Sequence, residues 1–330
     1  MSTNDKDYAY LPIDYPNLEK YFNDQNAVFW TLPEIDTSRD RADWERSSSS
    51  IQEFTKKLLC LFAQADGIVC ENLVENFKSK FSFIKSARNF YAAQDHIEVI
   101  HNQTYSELIN VLIRDEEEKQ KALEAIHNYP EIRNIYNWIS RWMSKETPDM
   151  EALVAFCCLE GIIFIAGFAG VYQLKRLNLF VGLTSANELI AFDESLHTKF
   201  GAELYKTLHL VIKERIDENG QKFVYNKLET RRVHEIIQSC ITEAIEPFVR
   251  NVLQVDLVGL TAEDMMMYVK CAGNELCEIL GEPELYQNIK NPFDWMVLIL
   301  TDKKTNFFEK KVTQYQKSES KVAYNFDENF

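Results

Sequence analysis

Proline leaves two long stretches of this chain untouched. None falls between Pro33 and Pro130, and none between Pro148 and Pro247. Glycine is nearly as scarce, with 10 Gly and 8 Pro in 330 residues. A sheet-rich fold needs a turn after each short strand, and turns draw on these two residues. Long runs that lack both favour helices. Apolar residues recur at helical spacing over Ser50–Phe77, Ser86–Asn110, Glu116–His127, Arg133–Ser144, Glu151–Arg176, Ser185–Ile216, Lys227–Val255 and Ala262–Leu280, which predicts a helix over each. Residues 1 to about 45 read as irregular, with a short helical piece around Leu18–Phe22, and Asp217-Glu218-Asn219-Gly220 reads as a turn. The expected fold class is all-α, a helical bundle in a single domain over residues 1–315, followed by a polar tail over 316–330 that has no period.

Hydrophobic residues make up 46% of the chain, enough for one large core. The net charge of −15 argues against nucleic acid as a partner. The seven cysteines sit in apolar runs without a C-x-x-C pair, and read as reduced, buried small hydrophobes of a cytoplasmic protein. Met1–Tyr8 is polar and shows no signal-peptide core. Leu153–Leu174 has the length of a membrane span. It also contains Glu160, a costly residue in lipid, and no second segment matches it. A central helix buried on all sides is therefore expected, with no membrane involved. Gly161, Gly167 and Gly170 would let its neighbours come close.

Glu98-x-x-His101 and Glu194-x-x-His197 repeat one local device about a hundred residues apart. Each sets a carboxylate and an imidazole on adjacent turns of one helix face. Glu98, His101 and Tyr105 fall at about 0°, 300° and 340° around their helix. Asp66 and Glu160 are charges inside two further apolar helical runs. Four helices thus aim acid at an apolar core, and buried carboxylates need partners. Two Glu-x-x-His helices and one further carboxylate from each of two others is how a helical bundle holds two metal ions. Mixed carboxylate and imidazole ligands suit iron or manganese.

The segments NAVFWTLPEIDTSRD (26–40), ADGIVCENL (65–73), IEVIHNQTYSELI (97–109), LEGIIFIAGF (159–168), GLTSANELIAFDESLH (182–197) and NFFEKKVTQY (306–315) appear in this order. In them the chain resembles the small, radical-generating subunit of class I ribonucleotide reductase, in its eukaryotic and large-DNA-virus branch. The resemblance implies a ferritin-like bundle with a central di-metal carboxylate site that holds two iron ions per chain, with manganese as the alternative. Asp66, Glu98 and His101 would bind one ion and Glu160, Glu194 and His197 the other, one or more carboxylates bridging. The resemblance further implies that molecular oxygen reacts there and that Tyr105 carries a tyrosyl radical, shielded by Phe164, Phe168 and Ile190. Trp30 and Asp193 would begin a transfer route through His101, and Tyr315 would hand the radical on. A large subunit, gripped by Gln316–Phe330, would then reduce ribonucleotides to deoxyribonucleotides, and the small subunit would be a homodimer. One position departs from the family: Phe192 stands where an Arg usually precedes the aspartate. Two other readings fit part of the pattern, a different ferritin-like di-iron oxidase and a non-catalytic iron-binding or regulatory paralogue. The first has no need of Trp30, Tyr315 and an acidic, aromatic tail together.

Overall fold

Along Lys85–Leu112 the buried residues include Phe90, Tyr91, Gln94, Ile97, Glu98, His101, Thr104, Tyr105 and Leu108, the three-and-four spacing of one helix face. That pattern, repeated, builds the protein. A computed structural model describes residues 9–217, 219–252, 260–293 and 296. Its helices are α1 (Pro16–Ala27), α2 (Asp40–Arg46), α3 (Ser49–Asn72), α4 (Lys78–Lys80), α5 (Lys85–Leu112), α6 (Glu116–Leu123), α7 (Ala125–Asn128), α8 (Pro130–Trp142), α9 (Asp149–Cys158), α10 (Phe164–Arg176), α11 (Val181–Thr207), α12 (Thr230–Ser239), α13 (Glu246–Val252) and α14 (Ala262–Leu280). The described residues up to Lys290 form one compact unit, and those from Asn291 on belong to a second. Within the first, α3 packs along α5, while α9 and α10 pack against α11. Ser48, Asp115 and Thr261 cap α3, α6 and α14 by accepting a backbone N–H three residues on.

The apolar segment is a core element. Of its most apolar stretch, within Asp149–Arg176, 94% is buried. Close approach there depends on missing side chains. A Cβ on Gly161 would lie 2.9 Å from Thr198 Cγ2 on α11, and one on Gly167 would lie 2.5 Å from the Phe62 ring on α3.

Several expectations need correction. The N-terminal region is more ordered than its composition implies, with α1 and α2 both formed. The helix expected to reach Ile216 stops earlier. Lys213 takes φ +60°, and Glu214–Ile216 pairs antiparallel with Lys222–Val224 as β1 and β2 around the expected turn. Arg215 lies 4.1 Å from the Phe223 ring centre and 4.4 Å from that of Phe83, so the hairpin is pinned by cation–π contacts. Among the described residues four π-helical turns also interrupt the helices, at Leu73–Phe77, Leu159–Ile163, Leu208–Ile212 and Cys240–Ile245. Each is a single widened turn inside a longer helix, which the apolar pattern did not mark. All seven cysteines are free as expected, but Cys70 and Cys271 are only half-buried.

The start of α11 is held by α2. Asp40, fully buried, accepts from the backbone N–H of Gly182 at 2.8 Å and of Leu183 at 2.7 Å. Asp43 accepts from that of Phe180 at 2.7 Å. These are the donors a helix leaves unsatisfied at its first turn. Asp40→Ala should therefore destabilise the fold by about 2 kcal/mol, combining lost capping with buried orphan donors. Thermal unfolding of the metal-free protein checks this, and an unchanged midpoint would show that α11 is anchored elsewhere.

Candidate metal centre

Each sequence-predicted ligand reaches the centre from a different turn of the bundle. Asp66 comes from α3, Glu98 and His101 from α5, and Glu194 and His197 from α11. Glu160 lies in the π-helical turn between α9 and α10, where the local phase shift re-aims its side chain. All six are buried to within 1% of full enclosure.

Glu98, Glu160, Glu194 and His197 each offer a ligand atom within 4.8 Å of the others. His101 joins through Nδ1, which lies 3.2 Å from Glu98 Oε2 and 3.1 Å from Glu194 Oε1. His197 Nδ1 lies 3.0 Å from Glu98 Oε1 and 3.0 Å from Glu194 Oε2. Glu98 and Glu194 thus each turn one oxygen to each imidazole. Asp66 stands outside the tightest group, yet His101, Glu98, Glu194 and His197 all act on its charge.

The electrostatics are those of a cage that lacks positive charge. Burial pushes the Asp66 carboxyl well above the carboxylate range, with His101 opposing. Burial and then Glu194 do the same to Glu160. Burial would also raise Glu194, but His197 outweighs it, with hydrogen bonds from Glu160, His101 and His197, and holds that carboxyl low. Burial works against charged imidazoles, yet the surrounding carboxylates raise both His101 and His197 well above the ordinary histidine value. Protons take up the charge that the geometry concentrates. Both Asp66 oxygens, Glu160 Oε2 and His197 Nε2 are buried without a hydrogen-bond partner. Orphaned buried acceptors at this density are costly. Cations fit the donor set: four carboxylates balance two divalent ions, and oxygen with imidazole nitrogen suits first-row transition metals.

Residues around the ligands also escaped the sequence reading. Gln94, fully buried, donates from Nε2 to Glu160 Oε1 at 2.9 Å and to Glu98 Oε1 at 3.2 Å. It sits one turn before Glu98 on the same face, a polar residue in an apolar register, and that spacing was the available signal. Tyr105 is fully buried, and burial followed by the Asp66 charge lifts its phenol well above the usual value, so it stays protonated. Phe62 stacks on it, centre to centre 4.6 Å, and stacks in turn on Phe168 at 5.4 Å and Phe164 at 6.2 Å. Ile190 is fully buried on α11. Phe62 precedes Asp66 by one turn, and nothing but that spacing marks it. The Tyr105 hydroxyl donates to Asn187 Oδ1 at 3.4 Å.

Trp30 is buried, stacks on His101 at 5.9 Å and donates from Nε1 to Asp193 Oδ2 at 2.9 Å. The same oxygen lies 3.1 Å from His101 Nε2. An Nε2–H donated to this carboxylate leaves the Nδ1 lone pair facing the cage, the arrangement of a metal-ligating histidine. The second Asp193 oxygen accepts from Gln25 Nε2 at 2.8 Å, a contact no local pattern foretold. Phe192, half-buried beside it, has no side-chain donor to offer. Tyr315 and Gln316–Phe330 lie outside the described residues.

The sequence model of the family "Ribonucleotide reductase, small chain" matches residues 7–292. The chain belongs to this family. Among its relatives, the ribonucleoside-diphosphate reductase small chain of Trypanosoma brucei brucei is 38% identical over 318 residues, covering 96% of this chain and 89% of the relative. That of Variola virus is 36% identical over 320 residues, with 96% and 93% covered. Among solved structures, a ribonucleotide reductase homodimer from Saccharomyces cerevisiae superposes with a TM-score of 0.75 at 25% identity, covering 95% of this chain and 91% of that one. An R2 subunit from Clostridium botulinum shares the fold alone, with a TM-score of 0.75 at 19% identity over 87% and 88% of the two chains. The bundle is therefore ferritin-like and all-α, and the chain is the small, radical-generating subunit of a ribonucleoside-diphosphate reductase. As a small chain it works with a large subunit, where ribonucleotides become deoxyribonucleotides. Its buried cluster of glutamates and histidines is a site fit for metal.

Proposed function

We propose that Asp66, Glu98, His101, Glu160, Glu194 and His197 hold two iron ions per chain and that Tyr105 carries the radical they generate. One observation supports this most: Glu98 and Glu194 each face both imidazoles, which suits carboxylates that bridge two ions. When bound, the metal pair supplies the electrons that reduce molecular oxygen and the oxidising power that takes one electron and one proton from a phenol. The chain does the rest. Gln94 orients Glu98 and Glu160. Phe62, Phe164, Phe168 and Ile190 keep water and reductants from Tyr105. Trp30, Asp193 and His101 form a continuous hydrogen-bonded path from the centre toward α1 and the loop after it, and Tyr315 is its proposed continuation to the large subunit.

Metal analysis with electron spin resonance after loading with iron and oxygen tests the reading. The expected result is two irons per chain and a tyrosyl signal. Loading with manganese in a parallel sample separates the two metals. A different di-iron oxidase would bind metal and leave no stable tyrosyl signal. Phe192 favours, as a second reading, a paralogue that binds iron without turnover. That reading predicts no nucleotide reduction with any large subunit from the same source.

The homodimer and the grip on the large subunit are part of the same proposal. Gln316–Phe330 combines acids with Tyr324, Phe326 and Phe330, the composition of a segment that orders on contact through aromatic anchors. A chain ending at Gln316 should bind metal and form the radical as the full chain does, but lose tight association and with it nucleotide reduction. A synthetic peptide of residues 317–330 should compete with the full chain for the large subunit. Undiminished association of the truncated chain would move the contact onto the bundle. The free cysteines and acidic charge fit a cytoplasmic location.

A further inference from the structure

Among the described residues the Tyr105 hydroxyl makes one hydrogen bond, to Asn187. Phe62, the ring stacked on Tyr105, offers its oxygen no polar group. Asn187 is fully buried on α11, two turns before Glu194, so its position is set by the helix that carries the ligands. Its Oδ1 is the acceptor for Tyr105, and its amide also meets the phenol of Tyr172 through a hydrogen bond.

The chemistry of Tyr105 gives both ends of this amide a use. A phenol donates a hydrogen bond through O–H, whereas a phenoxyl radical has lost that hydrogen and can only accept. A partner that serves both forms must hold an acceptor and a donor that exchange places. A side-chain amide does this on one carbon by a half-turn about χ2. The exchanged Oδ1 then needs a donor of its own. Burial lifts the phenol of Tyr172 on α10 and its hydrogen bond with Asn187 opposes that, so the Tyr172 O–H has only to turn to donate to the exchanged Oδ1.

We infer that Asn187 is a positioning residue for the radical tyrosine, hydrogen-bonded to the Tyr105 oxygen in both of its states: Oδ1 accepts from the phenol, and after the amide turns, Nδ2–H donates to the phenoxyl oxygen. The inference rests on the reading of Tyr105 as the radical carrier. Asn187 gains neither electron nor proton, since both leave Tyr105 for the metal centre in the family's reaction. The amide changes orientation only. Its hydrogen bond draws electron density onto the phenoxyl oxygen and holds the ring against rotation in its pocket.

The test is high-field electron spin resonance with electron–nuclear double resonance on the iron- and oxygen-loaded protein. Samples are exchanged into D2O or labelled with 15N at the asparagine amide. The wild type should show one strongly coupled exchangeable deuteron and a weak 15N coupling. Asn187→Leu, which keeps the branched shape but has neither donor nor acceptor, should lose both, and the g component along the C–O bond should shift upward while the ring-proton couplings remain. A tyrosyl signal without exchangeable or 15N coupling in the wild type overturns the inference and leaves Tyr105 as the carrier. So does a deuteron coupling that survives in Asn187→Leu. If the variant does not fold, the 15N coupling of the wild type decides alone. A wild type with no tyrosyl signal removes the radical reading itself, and the inference falls with it.

Discussion

Tyr105→Phe is expected to keep both metal ions and to lose the tyrosyl signal and all radical-dependent turnover. The substitution removes one hydroxyl and one long hydrogen bond, 3.4 Å to Asn187. The ring remains stacked on Phe62. The loss to the fold is therefore about 0.5–1.5 kcal/mol, offset by relief of a buried polar group. No ligand atom changes, so metal content measured on the variant should match the wild type. The effect on chemistry is of another order. Phenylalanine has no O–H to lose, and its ring is far harder to oxidise, so the expected turnover is below detection rather than reduced by some factor. Metal analysis, spin resonance and nucleotide reduction with the cognate large subunit are read side by side. An unchanged radical signal in this variant would place the unpaired electron on another residue.

Removal of a glutamate from the cage should produce the second large effect, in metal content. Glu194 faces both imidazoles, whereas Glu160 approaches only His197, at 3.9 Å. Glu194→Ala should therefore bind well under two ions per chain, and Glu160→Ala should lose less. Stability should move the opposite way in the metal-free state. Glu160 Oε2 has no partner, and burial already pushes its carboxyl up. Removing it deletes a desolvation cost, which offsets the cavity left behind. Metal-free Glu160→Ala should melt no lower than metal-free wild type. Its melting temperature should rise less when iron is added, because a ligand stabilises a fold only through binding to it. Full metal content in both variants would remove these residues from the site.

The ligand set could be read from the chain because helical geometry makes spacing informative. Residues three and four apart share a face, so Glu98 with His101 and Glu194 with His197 declared themselves, and Tyr105 followed one turn on. Asp66 and Glu160 were visible for a different reason: a charge inside an apolar run is expensive without a partner. Gln94 and Asn187 obey the same face rule as the ligands. They went unread because neutral polar residues are common on helices and carry no charge to explain. The proline-free runs determined the class of fold, since a chain without turn residues has few alternatives to long helices.

Packing between helices, which no local spacing encodes, decided the rest. Phe62 meets Tyr105 only because Gly167 leaves room for its ring. Gln25 and Trp30 reach Asp193 across more than a hundred and sixty positions of chain, so their roles appear only after α1 and α11 have docked. Glu160 is aimed by a π-helical turn. That turn is held by the tertiary contacts around it, Thr198 against Gly161 among them. By itself the sequence determined which chemical groups face the core, because periodicity and charge are local properties. Only the tertiary structure decided which carboxylate turns to which imidazole and which amide meets the phenol, because those distances are set by the docking of separate helices.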